Sequence, residues 1–438
     1  MRGGLVMLNR LYVKNFKNFR DAELIFGPVT VLLGTNASGK SNIRDAMRFL
    51  HGVGRGYSLV EILGEKWGQG GYLEWRGIRG GIREACLGGE DYFHLTVFFQ
   101  YLYYNIAVYI GHKRNLGSPM IIRENISIRN DANQFISIFN TINGIDKDDS
   151  LGFNWQNQIQ AQVLFYNSEH EIEKKQINFP RNRPLLSQIP ELIGVPIEVQ
   201  QICNSVLHDL RSIRFLDFDP EALRRPSIPG QLILGDKGEN LSSVLQHLCS
   251  QPDTREALLA WIRELIPMEV TDFLFTGNQE GKIQLTLVEA GGRQISAYSA
   301  SDGTLRFLGV LASLMGPDMA KVHFFEELDN GIHPTRLHLL LDMIERLAVL
   351  HDKQVVMTTH SPQLLHLLSP ESLKHASLVY RHPEIQEGKI IPVLDIPDIR
   401  TALEQQDLAR LMAGGWMEDA LHFADNNLES PTVENDLE

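Results

Sequence analysis

The sequence predicts an α/β fold: a mixed sheet with an antiparallel β subdomain and an inserted region. Early in the chain, the apolar run Val29 to Leu33 leads through a glycine-containing loop into the helix-like segment Asn42 to Leu50. In the second half, the apolar runs Val322 to Phe325 and Gln354 to Met357 alternate with helix-like segments. This alternation is typical of parallel strands, whereas the strand-rich stretch between the two halves favours antiparallel pairing.

The first half is dominated by predicted strands. Leu8 to Phe16 and Ala22 to Phe26 read as two short strands joined by a polar turn. Further along, β-branched and aromatic residues recur between turn residues, which indicates an antiparallel meander. Its strands are predicted at His94 to Gln100, Asn105 to Gly111, Pro119 to Arg123 and Gln162 to Tyr166.

The second half combines helices with strands. Apolar residues at helical spacing predict the helices Asn240 to Leu248, Arg255 to Leu265, Leu305 to Met315 and Pro334 to Leu350. Pro334 suits a first helical turn because that position needs no backbone donor. Two predicted strands, Phe273 to Phe275 and Lys282 to Val288, flank a glycine-containing turn. In a parallel sheet of this kind, ligands bind at the carboxyl ends of the strands.

These patterns divide the chain into four predicted parts. Residues 1–111 form the first half of the α/β unit, and residues 112–230, which have weak periodicity, form an insertion or lid. Residues 231–400 form the second half, and residues 401–438 are a C-terminal helix with an acidic tail.

Composition narrows the classes of protein. The 438 residues, 43% of them hydrophobic, suffice for a large core. No apolar run approaches the roughly 18 residues of a membrane span, and the start lacks signal-peptide features, so we expect a cytoplasmic protein. A formal net charge of −13 argues against a uniformly basic nucleic-acid-binding surface but not against a local basic groove. Basic groups such as Arg76, Arg79 and Arg83 are interpreted as solvated surface, with a DNA site as the alternative, and Cys86, Cys203 and Cys249 are interpreted as packing residues.

A P-loop is the clearest motif. It reads Gly34-Thr35-Asn36-Ala37-Ser38-Gly39-Lys40-Ser41 between the predicted strand and helix. The glycines let successive backbone N–H groups face phosphate oxygens, Lys40 bridges the outer phosphates, and Ser41 supplies a hydroxyl to Mg²⁺. The helix N-terminus favours the same anion. The residues predicted to bind ATP here are Gly34, Asn36, Ala37, Ser38, Gly39, Lys40, Ser41 and Asn42.

Later residues supply the other groups that ATP hydrolysis needs. Glu326 and Glu327 end an apolar strand, and we assign Glu326 to Mg²⁺ and Glu327 to the attacking water. His360 ends the next strand, where its imidazole can contact the γ-phosphate, although a lone histidine is usually structural. Ser301 and Gly303 precede an apolar helix, and alone they would form either an anion site or a simple N-cap.

In this order, the motifs Gly34 to Ser41, Ser299 to Thr304, Phe324 to Pro334 and Thr358 to Pro362 resemble those of ABC-type ATPase heads of the RecF and SMC class. A closer resemblance is to the bacterial "AAA family ATPases" of RecF-like type in anti-phage systems such as OLD, PARIS and Septu, and it is carried by Asp236 to Leu248, Ala300 to Leu308, Glu326 to Pro334 and Thr359 to Leu365. The resemblance covers the outer thirds of the chain and implies a P-loop ATPase head with the mixed sheet, antiparallel subdomain and lid described above.

The resemblance also implies roles for single residues. Ser301 and Gly303 would be the signature motif, which contacts ATP held by the opposing subunit, and Asp329 would lie in the D-loop with His360 in the switch. Two positions depart from the family pattern: Glu326 stands where a metal-binding aspartate is usual, and Asp302 replaces a glycine. Gln100 is a candidate for the Q-loop glutamine.

The leading functional hypothesis is an ATPase that dimerises on ATP, or forms a higher oligomer, and regulates a separate effector subunit in anti-phage defence. The effector would be a nuclease or toxin on another chain, with ATP and Mg²⁺ as cofactors and DNA as a further ligand of the complex. The alternative is a RecF-like DNA-repair clamp that grips DNA directly. A transporter subunit is disfavoured by the long strand-rich stretch between Lys40 and Ser301 and by the lack of a membrane-coupling helix.

Overall fold

The computed structural model describes residues 7–111, 118–130, 132–142, 157–167, 171–265, 270–381, 387–396 and 399. Within these residues, one mixed sheet contains 14 strands, so the predicted α/β fold with a mixed sheet is confirmed. The predicted C-terminal helix and acidic tail, residues 401–438, lie outside the described part.

The elements are numbered in chain order. The strands are β1 Leu8–Phe16, β2 Phe19–Ile25, β3 Val29–Leu33, β4 Glu65–Trp67, β5 Leu73–Arg76, β6 Tyr92–Phe99, β7 Leu102–Tyr109, β8 Met120–Arg129, β9 Phe135–Thr141, β10 Gln158–Tyr166, β11 Ile172–Pro180, β12 Ile213–Leu216, β13 Val270–Gly277, β14 Ile283–Glu289, β15 Gln294–Ser296, β16 Val322–Phe325, β17 Gln354–Thr359, β18 Ala376–Arg381 and β19 Gly388–Pro392. The α-helices are α1 Lys40–Gly54, α2 Leu59–Leu63, α3 Ile197–Arg211, α4 Pro220–Leu223, α5 Leu241–Cys249, α6 Pro252–Leu265, α7 Asp302–Met315, α8 Pro334–Leu350 and α9 Pro370–Leu373.

The large sheet has a parallel half and an antiparallel half. Its strand order is β11-β10-β9-β8-β7-β6-β1-β2-β19-β18-β3-β17-β16-β12. β18, β3, β17, β16 and β12 run parallel, while β1, β2 and β6 to β11 form antiparallel pairs. The carboxyl ends of β3, β16 and β17 therefore meet at one edge, as parallel strands require.

Strand β3 separates two hydrophobic cores. All five of its residues are buried, and Leu32 packs into the core shared by α1, α3 and the antiparallel strands. Val29, Val31 and Leu33 face the other core, which α5 to α8 cover. Burial on both faces explains why this strand reads as a continuous apolar run.

The segment predicted as an insertion contributes strands to the same sheet. β8 to β11 extend its antiparallel half, and β12 pairs with β16 as the last parallel strand. β9 and β11 were not predicted. β11 is an edge strand in which all but two residues are exposed, so its sequence has no alternation of apolar and polar residues to detect. The boundaries of the four predicted parts stay predictions.

Among the helices of the described residues, none combines the length and apolar character that a bilayer span requires.

Candidate nucleotide site

The predicted site residues of the P-loop and of the two neighbouring strand ends come together in one pocket. It lies at the carboxyl edge of β3, β16 and β17, beside the N-terminus of α1. Its lining consists of Thr35, Asn36, Ala37, Ser38, Gly39, Lys40, Ser41, Asn42, Arg79, Glu326, Glu327, Thr358 and His360. Residues that are about 290 positions apart in sequence thus face one another, as the parallel topology requires.

The P-loop backbone needs its glycines. A Cβ on Gly34 would lie 2.2 Å from the carbonyl oxygen of Val379, a distance that no side chain can occupy. Gly39 has φ of 125°, and Ala37 also lies in the left-handed region, with φ of 63°. The buried hydroxyl of Ser38 has no hydrogen-bond partner among the described residues. These features form a concave backbone that fits a phosphate chain.

Lys40 is held over the centre of this loop. Its Nζ donates to the carbonyl oxygens of Gly34 at 2.6 Å and Thr35 at 2.9 Å, and it lies 3.3 Å from Nδ1 of His360. Burial lowers the pKa of Lys40 to about 8, although Glu327 and Asp329 act in the opposite direction.

His360 connects Lys40 to Glu327. Its Nε2 lies 3.1 Å from Oε1 of Glu327. Because the lysine ammonium can only donate, Nδ1 of His360 must accept, and the ring proton then resides on Nε2 and is donated to the carboxylate. This tautomer fixes the orientation of both the imidazole and the candidate general base.

Glu327 has an unusual backbone conformation. Its φ is 47°, and its backbone N–H donates to Oγ1 of Thr358 at 3.0 Å. The amide of Asn330 donates to its other carboxylate oxygen. One residue further along β17, the hydroxyl of Thr359 donates to Asp329 at 2.8 Å. The loop after β16, which includes the predicted D-loop residue Asp329, is thereby joined to the end of β17.

Ser41 and Glu326 have the chemistry that Mg²⁺ prefers. Both line the pocket, and a hydroxyl and a carboxylate are hard oxygen ligands. Oε1 of Glu326 is buried without a hydrogen bond; it lies 2.9 Å from Nε of Arg44, an ion pair without hydrogen-bond alignment. Burial raises the pKa of Glu326, with Arg44 acting against it. A buried carboxylate oxygen that lacks hydrogen bonds fits a cation ligand.

Ser301 and Gly303 do not line this pocket. The Ser301 hydroxyl accepts from the backbone N–H of Thr304 at 3.2 Å and so forms the N-cap of α7. Ser301 is exposed, and a Cβ on Gly303 would lie 3.0 Å from the carbonyl oxygen of Gly331. Within one chain, the predicted signature motif therefore borders the loop after β16 and not the P-loop pocket.

The structure adds site residues that the sequence did not reveal. The Asn18 side chain, in the turn between β1 and β2, donates to the carbonyl oxygen of Ser38 at 3.1 Å and accepts from the Asn42 amide at 2.6 Å. Arg79, interpreted from sequence as solvated surface, lines the pocket, and its side chain bonds to Asp45 and Asn42. Only the folded chain brings these residues to the P-loop, so no local sequence signal could have identified them.

Gln100 is not a suitable Q-loop glutamine. It follows β6, whose last residue, Phe99, pairs with Leu8. Leu8 bonds through its backbone to Gln354 at the start of β17, and the P-loop edge is at the other end of that strand. The sheet therefore separates Gln100 from the nucleotide pocket, and this prediction is wrong.

Comparisons with known protein families give two matches. Residues 143–366, just over half of the chain, match the family described as "AAA domain, putative AbiEii toxin, Type IV TA system", and residues 7–193 match "AAA ATPase domain". An "ATP/GTP phosphatase" of Helicobacter pylori is 22% identical over 369 residues, covering 83% of this chain and 87% of the relative.

Among solved structures, the chain is similar to SMC heads. The SMC head domain from Thermotoga maritima has 13% identity and a TM-score of 0.37, over 88% of this chain and 98% of that one. An SmcHead bound to the C-winged helix domain of ScpA has 13% identity and a TM-score of 0.42, over 88% and 97%. A Pyrococcus furiosus Smc head with an extended coiled coil, bound to the C-terminal domain of ScpA, has 10% identity and a TM-score of 0.39, over 93% and 100%. These values describe a distant likeness.

Proposed function

This chain belongs to the AAA domain family that matches residues 143–366, it is an ATPase, and on that premise we propose that it is an ATP-gated dimeric switch controlling a separate effector. In this proposal ATP joins two copies, and hydrolysis separates them. The difference in ATP affinity between the joined and separate states supplies the work, as in any ligand-driven shift.

The pocket residues have separate roles in hydrolysis. The P-loop N–H groups and Lys40 bind the phosphates, and Glu327, oriented by His360 and Asn330, holds and deprotonates the attacking water. His360 would respond to the γ-phosphate, and its contacts with both Lys40 and Glu327 support that role. Ser41 and Glu326 would hold Mg²⁺, which when bound neutralises phosphate charge.

The observation that carries the dimer is the position of Ser301. The serine and the N-terminus of α7 are exposed, they lie outside the pocket of their own chain, and they offer a hydroxyl and the backbone N–H groups of a first helical turn. A second copy facing the first could place these groups on the γ-phosphate, which supports completion of each site by the opposite subunit. The neighbouring loop with Asp329 would then lie at the same interface.

The proposed partner is a nuclease or toxin on another chain, and the proposed setting is anti-phage defence in the cytoplasm. Support comes from the resemblance to RecF-like defence ATPases and from the toxin–antitoxin context in the family description. DNA contact by the complex belongs to the same proposal.

The Glu327→Gln variant tests the dimer. Gln preserves the shape of the side chain but cannot deprotonate water, so ATP should accumulate uncleaved and the dimer should persist. With ATP and Mg²⁺, light scattering should give twice the 49.6 kDa chain mass. The matched control is Glu371→Gln, an exposed surface carboxylate paired with Lys374, which should behave like the parent chain.

A second substitution separates dimerisation from nucleotide binding. Ser301→Arg in the Glu327→Gln background should restore the single-chain mass while ATP binding is retained, because Ser301 is outside the P-loop pocket of its own chain. A Glu327→Gln chain that binds ATP yet keeps the single-chain mass would refute the proposal.

A further inference from the structure

A second cleft lies at the end of the sheet opposite the P-loop. It is formed by the later turns of α1, the end of α3, the start of β12 and the loop before β16, and its volume is about 620 Å³. Its lining consists of Arg48, His51, Arg55, Glu74, Trp75, His208, Arg211, Ser212, Ile213, Arg214, Phe215, Asp236, Asp318, Met319 and Ala320. The size is that of a small-molecule site, and four of the lining residues are arginines.

One arginine and all three acidic residues of the cleft are already paired. Arg214 contacts Asp318 at 3.1 Å and Asp236 at 3.3 Å. Glu74 pairs with Lys66 at 3.3 Å. Arg48, Arg55 and Arg211 form no ion pair with any carboxylate in the described ranges. The cleft therefore contains three guanidinium groups without an ion-pair partner among the described residues, in a chain whose overall charge is −13.

Two of these three arginines lie at helix C-termini. Arg55 is the C-cap of α1, and Arg211 is the last residue of α3, so the partial negative charge of each helix end stabilises the arginine there. Arg48 has no such compensation because it lies within α1. Its neighbour one turn earlier, Arg44, is already paired with Glu326.

Arg48 is positioned as an anion ligand. Its guanidinium lies 4.8 Å from the ring centre of Trp75 and 5.4 Å from that of Phe215, and its Nε donates to the carbonyl oxygen of Arg76 at 2.5 Å. Its terminal amino groups have no partner among the described residues. Burial, together with the nearby charge of Arg44, lowers the pKa of Arg48 to about 10, although Asp236 and Asp45 act in the opposite direction. A half-buried cation that forms no ion pair is costly, and a bound anion would offset that cost.

We propose that Arg48, Arg55 and Arg211 form a site for a phosphate-bearing anion, distinct from the P-loop. Guanidinium groups bind phosphate oxygens through pairs of parallel hydrogen bonds, and a multiply charged anion matches three cations better than a single carboxylate does. The phosphate could come from a nucleic-acid backbone or from a free polyphosphate, since both present the same oxygens.

The test uses the full chain with Lys40→Ala, which weakens phosphate binding at the P-loop. Tripolyphosphate is titrated by calorimetry, and a fluorescently labelled single-stranded DNA oligonucleotide by anisotropy. Adding Arg48→Gln and Arg211→Gln should weaken binding about tenfold or more, because charged hydrogen bonds are lost. Adding Arg293→Gln, an exposed arginine at the β14–β15 turn, is the control and should change it less than about twofold.

The two probes distinguish the source of the phosphate. The site binds a nucleic-acid backbone if two results are found. Adding Arg48→Gln and Arg211→Gln should abolish DNA binding, and DNA binding to the Lys40→Ala parent should fall steeply as the salt concentration rises. Tripolyphosphate binding without DNA binding assigns it to a free polyphosphate. Arg211→Gln alone, exposed at the end of α3, should weaken binding even if Arg48→Gln impairs folding. The proposal fails if neither probe binds the parent, or if the arginine substitutions leave binding unchanged.

Discussion

Asn18 should control ATP affinity although it touches no catalytic group. Its side chain makes two hydrogen bonds at the nucleotide site, to the carbonyl oxygen of Ser38 and from the amide of Asn42. A typical hydrogen bond contributes about 1 kcal/mol, so Asn18→Ala should destabilise the binding conformation of the loop by about 2 kcal/mol. If the whole loss falls on the loop, ATP binding weakens by about 30-fold.

Calorimetric titration with ATP and Mg²⁺ measures this effect, and urea unfolding measures the change in global stability. Because no reacting group is removed, kcat at saturating ATP should change much less than KM. The control is Asn125→Ala, a half-buried asparagine on β8 whose side chain donates to Ser127 in the antiparallel half of the sheet. Unchanged ATP affinity in Asn18→Ala, with an intact fold, would show that these bonds do not hold the loop.

Two further predictions concern backbone fit and pH. Gly34→Ala should abolish ATP binding and lower the melting temperature, since its Cβ would lie 2.2 Å from the Val379 carbonyl oxygen; Gly277→Ala, with open space around it, is the control. Burial raises the pKa of Glu124 from its usual 4.5 to about 7, against hydrogen bonds from Leu185, Leu186 and Tyr104. Between these two pKa values the unfolded chain releases the Glu124 proton, whereas the native chain keeps it. As the pH rises from 4.5 to about 7, the contribution of Glu124 to the free energy of unfolding should therefore fall by about 3 kcal/mol. Urea unfolding at several pH values should show that Glu124→Gln removes this slope; an identical slope in both proteins would contradict the raised pKa.

The sequence predicted those site residues that belong to a short motif or directly follow a recognisable apolar strand. The P-loop, the acidic pair after β16 and the histidine after β17 could be placed together because each follows an apolar parallel strand. Asn18 could not, because its role depends on a hairpin that folds back onto the loop. The same holds for the arginine cleft, whose cations lie on two helices about 150 residues apart and are brought together only by the packing of α1 on α3. Edge strand β11 was missed because both of its faces are mostly exposed.

The conformation of Glu327 shows why a residue type can be predicted when its orientation cannot. A left-handed backbone at a residue with a Cβ costs roughly 1–2 kcal/mol, and nothing in the local sequence favours it. The cost is offset by the hydrogen bond that the Glu327 N–H donates to Thr358 and by the bonds that His360 and Asn330 donate to the Glu327 carboxylate. Thr358 lies in the neighbouring strand β17, and His360 directly follows that strand. These bonds direct the carboxylate into the pocket that Lys40 and the P-loop form. Backbone strain that is maintained by several hydrogen-bond partners is typical of functional residues. Because Gln has nearly the same shape as Glu, the Glu327→Gln variant tests the chemistry and not the fold.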